Sequence, residues 1–371
     1  MVRILLLTLA LATGCSTTAP EPPTGEATSL PLLASGFTLG TTFYGSGDLD
    51  ALGATERALL SDGVARGMTG FALYVDWGDL EPSKGHYTLD RFEETLSALR
   101  QFGFTPFVNI TVGDIGDMNL PEELSDGEGG YADGIALDDE AVLDRFGALL
   151  DRVVPIVLAN GGFLLNVGNE IDDRLDGDFR NEHDAYVRFV EAARERVHAI
   201  EPKLAVGVTL TTRPVREQTR TFTAMRGAAD VVAFNYGPIE SDLSVSDVDD
   251  IRSDFQNTIA RFGDGPIVIQ ELTCPTASSM GSSEDWQRTC YETLLEEIAA
   301  TPQVRFASVF TFQDFDAETC QVIQDALALD DAEGLPDNFV ERYTEYLCTM
   351  GVVRPDGTPK PAWDVILDAT D

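Results

Sequence analysis

From residue 36 onward, short apolar runs alternate with stretches whose apolar positions recur every three or four residues. The short runs predict eight strands, at residues 37–44, 70–76, 105–112, 163–169, 204–210, 231–236, 267–271 and 306–312. Between them the helical period is explicit. Leu89, Phe92, Leu96 and Leu99 form one stripe, which ends at Gly103. Tyr186, Phe189, Val190, Ala193 and Val197 form another, stopped by Pro202. Residues 138–160 carry the same pattern, and Pro155 within them predicts a kink or break. Strands that alternate with helices form a parallel sheet, and eight is the number that closes it. The predicted class is therefore α/β, a (β/α)8 TIM barrel.

The first residues do not join this pattern. Arg3 precedes an apolar run over residues 4–11, and Ala12-Thr13-Gly14-Cys15 follows. The run is too short to span a bilayer and reads as an export signal over residues 1–14. Small residues ending in Cys resemble a bacterial lipobox, so Cys15 is the expected lipidation site, with a plain secretory signal as the alternative. Residues 15–33, with Pro20, Pro22 and Pro23 among Ser, Thr and Glu, suit a tether that buries no core. The barrel domain is then residues 34–371. An exported protein on a lipid anchor, at the cell envelope or secreted, is the expectation.

Composition narrows the partners. The 371 residues hold 25 Lys and Arg against 63 Asp and Glu, a formal net charge of −38. Such an excess of acid excludes a binder of nucleic-acid phosphates. It reads as a solvated surface or as a match to a cationic partner, and it disfavours sulfated or uronic polymers. Besides Cys15 there are Cys274, Cys290, Cys320 and Cys348, an even set that predicts two disulfides in an oxidising compartment. Neighbours in sequence would pair 274 with 290 and 320 with 348, although three connectivities exist. No CxxC pair occurs and the three His are scattered, so no metal is expected.

In a (β/α)8 barrel the chemistry sits at the C-terminal ends of the strands. The candidates there are Tyr44, Asp76 and Trp77, Asn109, Asn169 and Glu170, Asn235 and Tyr236, Gln270 and Glu271, and Phe312, Gln313 and Asp314. Two of them, Glu170 and Glu271, close strands four and seven, which face each other across an eight-stranded barrel. Carboxylates converging from those tips form the pair that glycoside hydrolysis needs, one to protonate the leaving oxygen and one to attack or to activate water.

At this point the chain resembles the retaining glycoside hydrolases of the (β/α)8 superfamily called clan A, the cellulase- and galactanase-like enzymes. The likeness rests on Val167-Gly168-Asn169-Glu170, on Ile269-Gln270-Glu271, on the segment Trp77-Gly78-Asp79-Leu80-Glu81-Pro82-Ser83-Lys84-Gly85-His86-Tyr87, and on Gly357-Thr358-Pro359-Lys360-Pro361-Ala362-Trp363. The resemblance implies hydrolysis of a β-linked poly- or oligosaccharide without a cofactor. Glu170 would be the acid/base and Glu271 the nucleophile, with their carboxyls roughly 5–5.5 Å apart. Asn169 would hold the substrate 2-hydroxyl and Tyr236 would hydrogen-bond the nucleophile, with Trp77, Tyr44, Asn109 and Phe312 as further substrate contacts. Strand eight departs from the family, reading Val309-Phe310-Thr311-Phe312 where a Trp is usual. Several families also carry an Arg on strand two that has no equivalent here.

Other readings stay open on the residues alone. A glycan-binding lipoprotein that has lost turnover would share the barrel. Trp77 could pack beneath the second loop instead of stacking a sugar, and Tyr44 and Tyr131 could be structural. Glu81 reads as loop architecture. The acid-rich run at residues 172–178 lacks the EF-hand spacing and reads as a solvated loop. Long segments after strands three, seven and eight, at 113–139, 272–285 and 313–336, would wall a cleft.

Overall fold

A computed structural model describes residues 37–43, 49, 52–177, 179–327 and 338–370. Cys15, the leader, the tether and Tyr44 lie outside the described residues.

Eight parallel strands close into a barrel: β1 (Thr38–Thr41), β2 (Gly70–Asp76), β3 (Thr105–Thr111), β4 (Leu164–Asn166), β5 (Ala205–Leu210), β6 (Val231–Tyr236), β7 (Ile267–Leu272) and β8 (Val304–Val309). Each pairs with its sequence neighbours, and β1 pairs with β8 to complete the ring, Thr38 opposite Phe306 and Thr41 opposite Val309. Side chains that point inward fill the lumen. Ala72, Phe107, Leu164, Ala205, Ala233, Val268 and Phe306 form one buried cluster, with Tyr74 packed on its upper side. The barrel is therefore a filled core with its chemistry confined to one mouth.

Helices cover the outside: α1 (Ala54–Arg66), α2 (Asp90–Phe102), α3 (Glu140–Ala159), α4 (His183–Ile200), α5 (Arg220–Ala228), α6 (Val248–Ile259) and α7 (Glu284–Ala300) follow the first seven strands. The connection after β8 is longer and adds α8 (Ala317–Leu327) and α9 (Phe339–Cys348) before α10 (Pro361–Asp368) closes the shell. The expected stripes are the buried faces: Phe92, Leu96 and Leu99 on α2, and Tyr186, Phe189, Val190, Ala193 and Val197 on α4. Of the kink or break expected at Pro155, the break does not occur, and the helix runs on to Ala159. Buried Val153, Val154 and Val157 hold α3 against the barrel on both sides of the proline, and this packing outweighs one missing backbone bond.

Disulfides join Cys274 to Cys290 and Cys320 to Cys348. The first ties the segment after β7 to α7, and the second ties α8 to α9. Two disulfides fit an oxidising compartment. Among the described residues no helix is long and apolar enough to cross a membrane, and no cluster of three or more His, Cys, Asp or Glu is arranged to hold a metal ion.

Candidate active site

Strand parity decides which residues reach the mouth, because successive side chains point to opposite faces. On β6, Ala233 belongs to the lumen cluster, so Asn235 points in and Tyr236 points out. Asn235 gives its amide to Glu170 Oε1 at 2.8 Å. Tyr236 instead gives its hydroxyl to Asp254 Oδ2 on α6 at 2.7 Å, and its ring packs against Phe255. The expectation that Tyr236 bonds Glu271 is thus corrected. That bond is made from β2, where Tyr74 donates to Glu271 Oε1 at 2.8 Å.

Glu271 owes its position to an irregularity in β7. Phe234 pairs with Ile269, but the next residue, Asn235, pairs with Glu271, so Gln270 is an extra residue in the strand. Such a bulge re-aims side chains. Here it brings Gln270 and Glu271 to the same side. Gln270 lies fully buried beneath the mouth, receives Asn109 Nδ2 at 2.8 Å and Thr209 Oγ1 at 2.6 Å, and donates to Asn169 Oδ1 at 2.5 Å.

Glu170 lies beyond the regular part of β4. Gly168 has φ +138°, and a Cβ there would meet the Tyr186 hydroxyl at 2.2 Å, so only glycine fits. Glu170 itself has φ +45°, a left-handed conformation rare for a non-glycine residue and typical of functional sites. Beside it, Asn169 donates to Asp114 Oδ1 at 2.9 Å, and Asp114 comes from the short hairpin that follows β3. Arg174, paired with Glu182, donates to the Gly116 carbonyl at 2.6 Å and so pins that hairpin.

Three carboxyl groups therefore meet at the mouth, and their titration is set mainly by desolvation. Glu170 is held well above the usual carboxylate range by burial and then by the charge of Glu271, with the Asn235 amide opposing. Burial raises Glu271 to about 7, while hydrogen bonds from Tyr74, Gln270 and Asn235 favour its ionised form. Burial raises Asp114 to about 6 against the Asn169 bond. Glu271 has more donors on its charged form than Glu170, so it is the member of the pair that ionises first.

The remaining expected contacts divide clearly. Asn109 is buried below the mouth, where it braces Gln270 and accepts the Gly168 amide at 3.4 Å. Trp77 is a core residue, not a sugar platform. It is fully buried between α3 and α4 against Phe146 and Phe189, and its indole N–H goes to Glu81 at 3.1 Å. Phe312 lies beyond the end of β8 at Val309, where strand parity no longer holds, and packs outward against Phe43 and Trp363. Phe310, just past the end of β8, packs with residues of α8 and α9. Tyr131 lies under the Arg174 guanidinium, a structural placement. Glu81 is loop architecture, as expected, binding Trp77, Gly85 N and Arg145. The run at 172–178 is not simply a solvated loop. Asp172–Asp176 is a helical turn, and buried Asp172 accepts both the amide and the hydroxyl of Thr211.

Sequence reasoning missed Tyr74, Asp114 and Tyr346. Tyr74 was within reach, since it sits two residues before Asp76 and shares its parity. Tyr346 comes from α9, contacts Thr273 Oγ1 at 3.2 Å, and feels the charges of Glu271 and Glu170. No period in the sequence carries that placement.

No family model matches the chain, and no curated protein matches it. Solved structures do. An exo-β-1,4-mannosidase from Opitutaceae bacterium strain TAV5 superposes with a TM-score of 0.59 at 17% identity, over 90% of this chain and 59% of that one. The chain thus spans about three fifths of that protein. A GH5_18 protein from Bifidobacterium longum in complex with Manβ1-4GlcNAc gives 0.67 at 11% identity, over 90% and 78%. A xylanase from Cellvibrio japonicus in complex with xylopentaose gives 0.60 at 14% identity, over 91% and 68%. The (β/α)8 fold read from the sequence is the fold that these structures share.

Proposed function

We propose that the chain is an exported β-glycoside hydrolase that works by retaining double displacement, with Glu271 as nucleophile and Glu170 as acid/base. The observation that carries this reading is the unequal pair of carboxyls at the mouth, both within reach of the Asn235 amide, with the Tyr74 hydroxyl on Glu271 alone. Sharing one small amide keeps the two groups close, as retention requires. Ionised Glu271 attacks the anomeric carbon while protonated Glu170 gives its proton to the leaving oxygen. A glycosyl ester on Glu271 results. Glu170, now a carboxylate, takes a proton from water, which attacks the same carbon, releases the sugar with its original configuration and frees Glu271. The fold neighbours include proteins named as a β-mannosidase and a xylanase, which supports β-linked glycans as the substrate class.

The test uses purified protein on neutral β-glycans and aryl β-glycosides. Glu271→Ala should abolish turnover of all of them. Glu170→Ala should be milder on good leaving groups and should yield a β-glycosyl azide when azide is added. Proton NMR should show the β-anomer first. An α-anomer first would refute retention, and binding without turnover in the wild type would favour a glycan-binding role. The membrane anchor at Cys15 is part of the proposal, supported by the apolar run and the small residues before it. Cys15→Ala should move the protein from the detergent phase to the soluble fraction.

A further inference from the structure

The aromatic residues expected at the strand tips do not offer a ring to the mouth. Trp77, Tyr236 and Phe312 turn outward, and Tyr74 lies against the lumen cluster with its hydroxyl on Glu271. A ring arrives there from outside the barrel. On α9, Phe339, Tyr343 and Tyr346 stack in a row, with centroids 5.3 Å and then 5.9 Å apart and planes inclined by 18° and 21°. Phe339 and Tyr343 are buried, and Tyr346 ends the row half-buried. Its hydroxyl meets Thr273 Oγ1 at 3.2 Å. Thr273 lies two residues past Glu271 and is still tied to β6, its amide donating to the Tyr236 carbonyl at 2.9 Å. Tyr343 thus backs the Tyr346 ring, and Thr273 fixes its polar end beside the strand that carries Glu271, within the field of both glutamates.

The neighbours of Tyr346 in the chain are each anchored to a different segment. Glu345 accepts the amides of Ser278 and Ser279, both at 2.8 Å, from the connection after β7. Cys348 is bonded to Cys320 on α8. The Thr349 carbonyl accepts Thr276 N at 3.0 Å and Lys360 Nζ at 3.2 Å. Lys360 is 3% exposed and reaches this carbonyl from a buried ion pair with Asp314. A buried cation is costly unless it is paired and hydrogen-bonded. Here it is both, and it fixes the C-terminal end of α9, where the helix dipole is negative. A ring held in this way loses little freedom when a ligand lies against it, as a preformed binding surface requires.

We propose that Tyr346 is a substrate-binding residue, its ring carrying the sugar that lies between Glu170 and Glu271. This inference rests on the glycosidase reading and adds to it the group that orients the sugar over the pair. A pyranose presents a face of C–H groups between its equatorial hydroxyls, and an aromatic ring excludes water from that face without competing for the hydroxyls. Covering ~60 Å² of apolar surface is worth about tenfold in binding.

The experiment compares the wild type with Tyr346→Phe, Tyr346→Leu and Phe339→Leu on aryl β-glycosides of glucose, mannose, galactose and xylose. The free sugar of whichever series is cleaved serves as inhibitor. Tyr346→Phe keeps the ring and should hold kcat/KM within about threefold. Tyr346→Leu keeps bulk without the ring, and should raise both KM and the inhibition constant of the free sugar at least about tenfold. Phe339→Leu, at the buried end of the same row, should lower the melting temperature and leave both constants in place, which separates binding from the packing of α9. Unchanged constants in Tyr346→Leu overturn the inference and leave the hydrolase reading standing. So does a loss in Tyr346→Phe or Phe339→Leu equal to that in Tyr346→Leu. Should Tyr346→Leu fail to fold, the free sugar titrated into the wild type should still perturb tyrosine ultraviolet absorbance, and Tyr346→Phe should lose that signal; a signal kept in Tyr346→Phe, or absent from the wild type, overturns the inference. If the wild type cleaves none of these glycosides, nor neutral β-linked oligosaccharides, the hydrolase reading itself fails and this inference falls with it.

Discussion

Replacing Tyr74 by Phe removes one hydroxyl and leaves the ring packed on the lumen cluster, so the change isolates a single hydrogen bond. The hydroxyl donates to Glu271 Oε1 at 2.8 Å and stabilises the ionised carboxylate. A hydrogen bond to a charged group is worth about 1.5–3 kcal/mol. Glu271 keeps Gln270 and Asn235 as donors, so the lower end, ~1.5 kcal/mol, is the better figure. At about 1.4 kcal/mol per pH unit, this raises the pKa of Glu271 by roughly one unit. In the proposed mechanism Glu271 attacks as the ionised carboxylate, so the acid limb of the kcat/KM profile should move from about 7 upward by that amount. Well below the limb, the rate should fall about tenfold. The alkaline limb, which in the proposed mechanism reports loss of the Glu170 proton, should stay in place, so the bell narrows from one side. Tyr236→Phe is the matched control, because that hydroxyl serves Asp254 on the outer face. The assay is initial rates across pH on any substrate that the wild type turns over. An unmoved acid limb in Tyr74→Phe, or an equal movement in Tyr236→Phe, would refute the assignment of Tyr74 as the group that positions and tunes Glu271.

Two further predictions concern stability. Glu271, at about 7 against an ordinary 4.5, and Asp114, at about 6 against 3.8, bind protons more tightly folded than unfolded. Between those values the native state holds the extra protons, so the contribution of these two groups to stability is greatest below about pH 4 and is lost as pH rises through 7. Glu271→Gln should flatten that slope and raise the melting temperature at pH 8, as thermal unfolding would show; a steeper slope in the variant would contradict it. Arg145→Met leaves Glu81 fully buried without its cation and should cost about 3–5 kcal/mol in urea unfolding. A loss under about 1 kcal/mol, the range of exposed pairs, would mean that the pair is not desolvated as described.

The barrel was legible because its signal is repeated. Eight apolar runs and the stripes between them each had to agree, and a miscounted end such as 163–169 for Leu164–Asn166 did no harm. The two glutamates were legible for a related reason, since each closes a run. The supporting residues were harder, because a strand tip presents two neighbours and only one faces the mouth. Reading the last aromatic of each run selected Tyr236, Trp77 and Phe312, which all point outward. Counting parity back from the tip would have selected Asn235 and Tyr74, while Phe312 lies past the end of β8, where parity gives no guide. The bulge at Gln270 breaks parity and has no mark in the residue types. Asp114 and Tyr346 arrive from a hairpin and an added helix, whose placement depends on packing between segments far apart in the chain.

The pairing of β1 with β8 also governs how the chain reaches this state. Thr41 gives its hydroxyl to the Val309 carbonyl across 268 residues, so the ring cannot close until nearly the whole domain is available. Contacts of such long sequence separation are formed late and at high loop-closure cost. Until then the backbones of β1 and of whichever strand was made last are open edges, able to pair with another chain. Crossing a membrane unfolded and closing the ring afterwards would shorten the life of those edges, and the Cys320–Cys348 bond lies in the connection that follows the last strand.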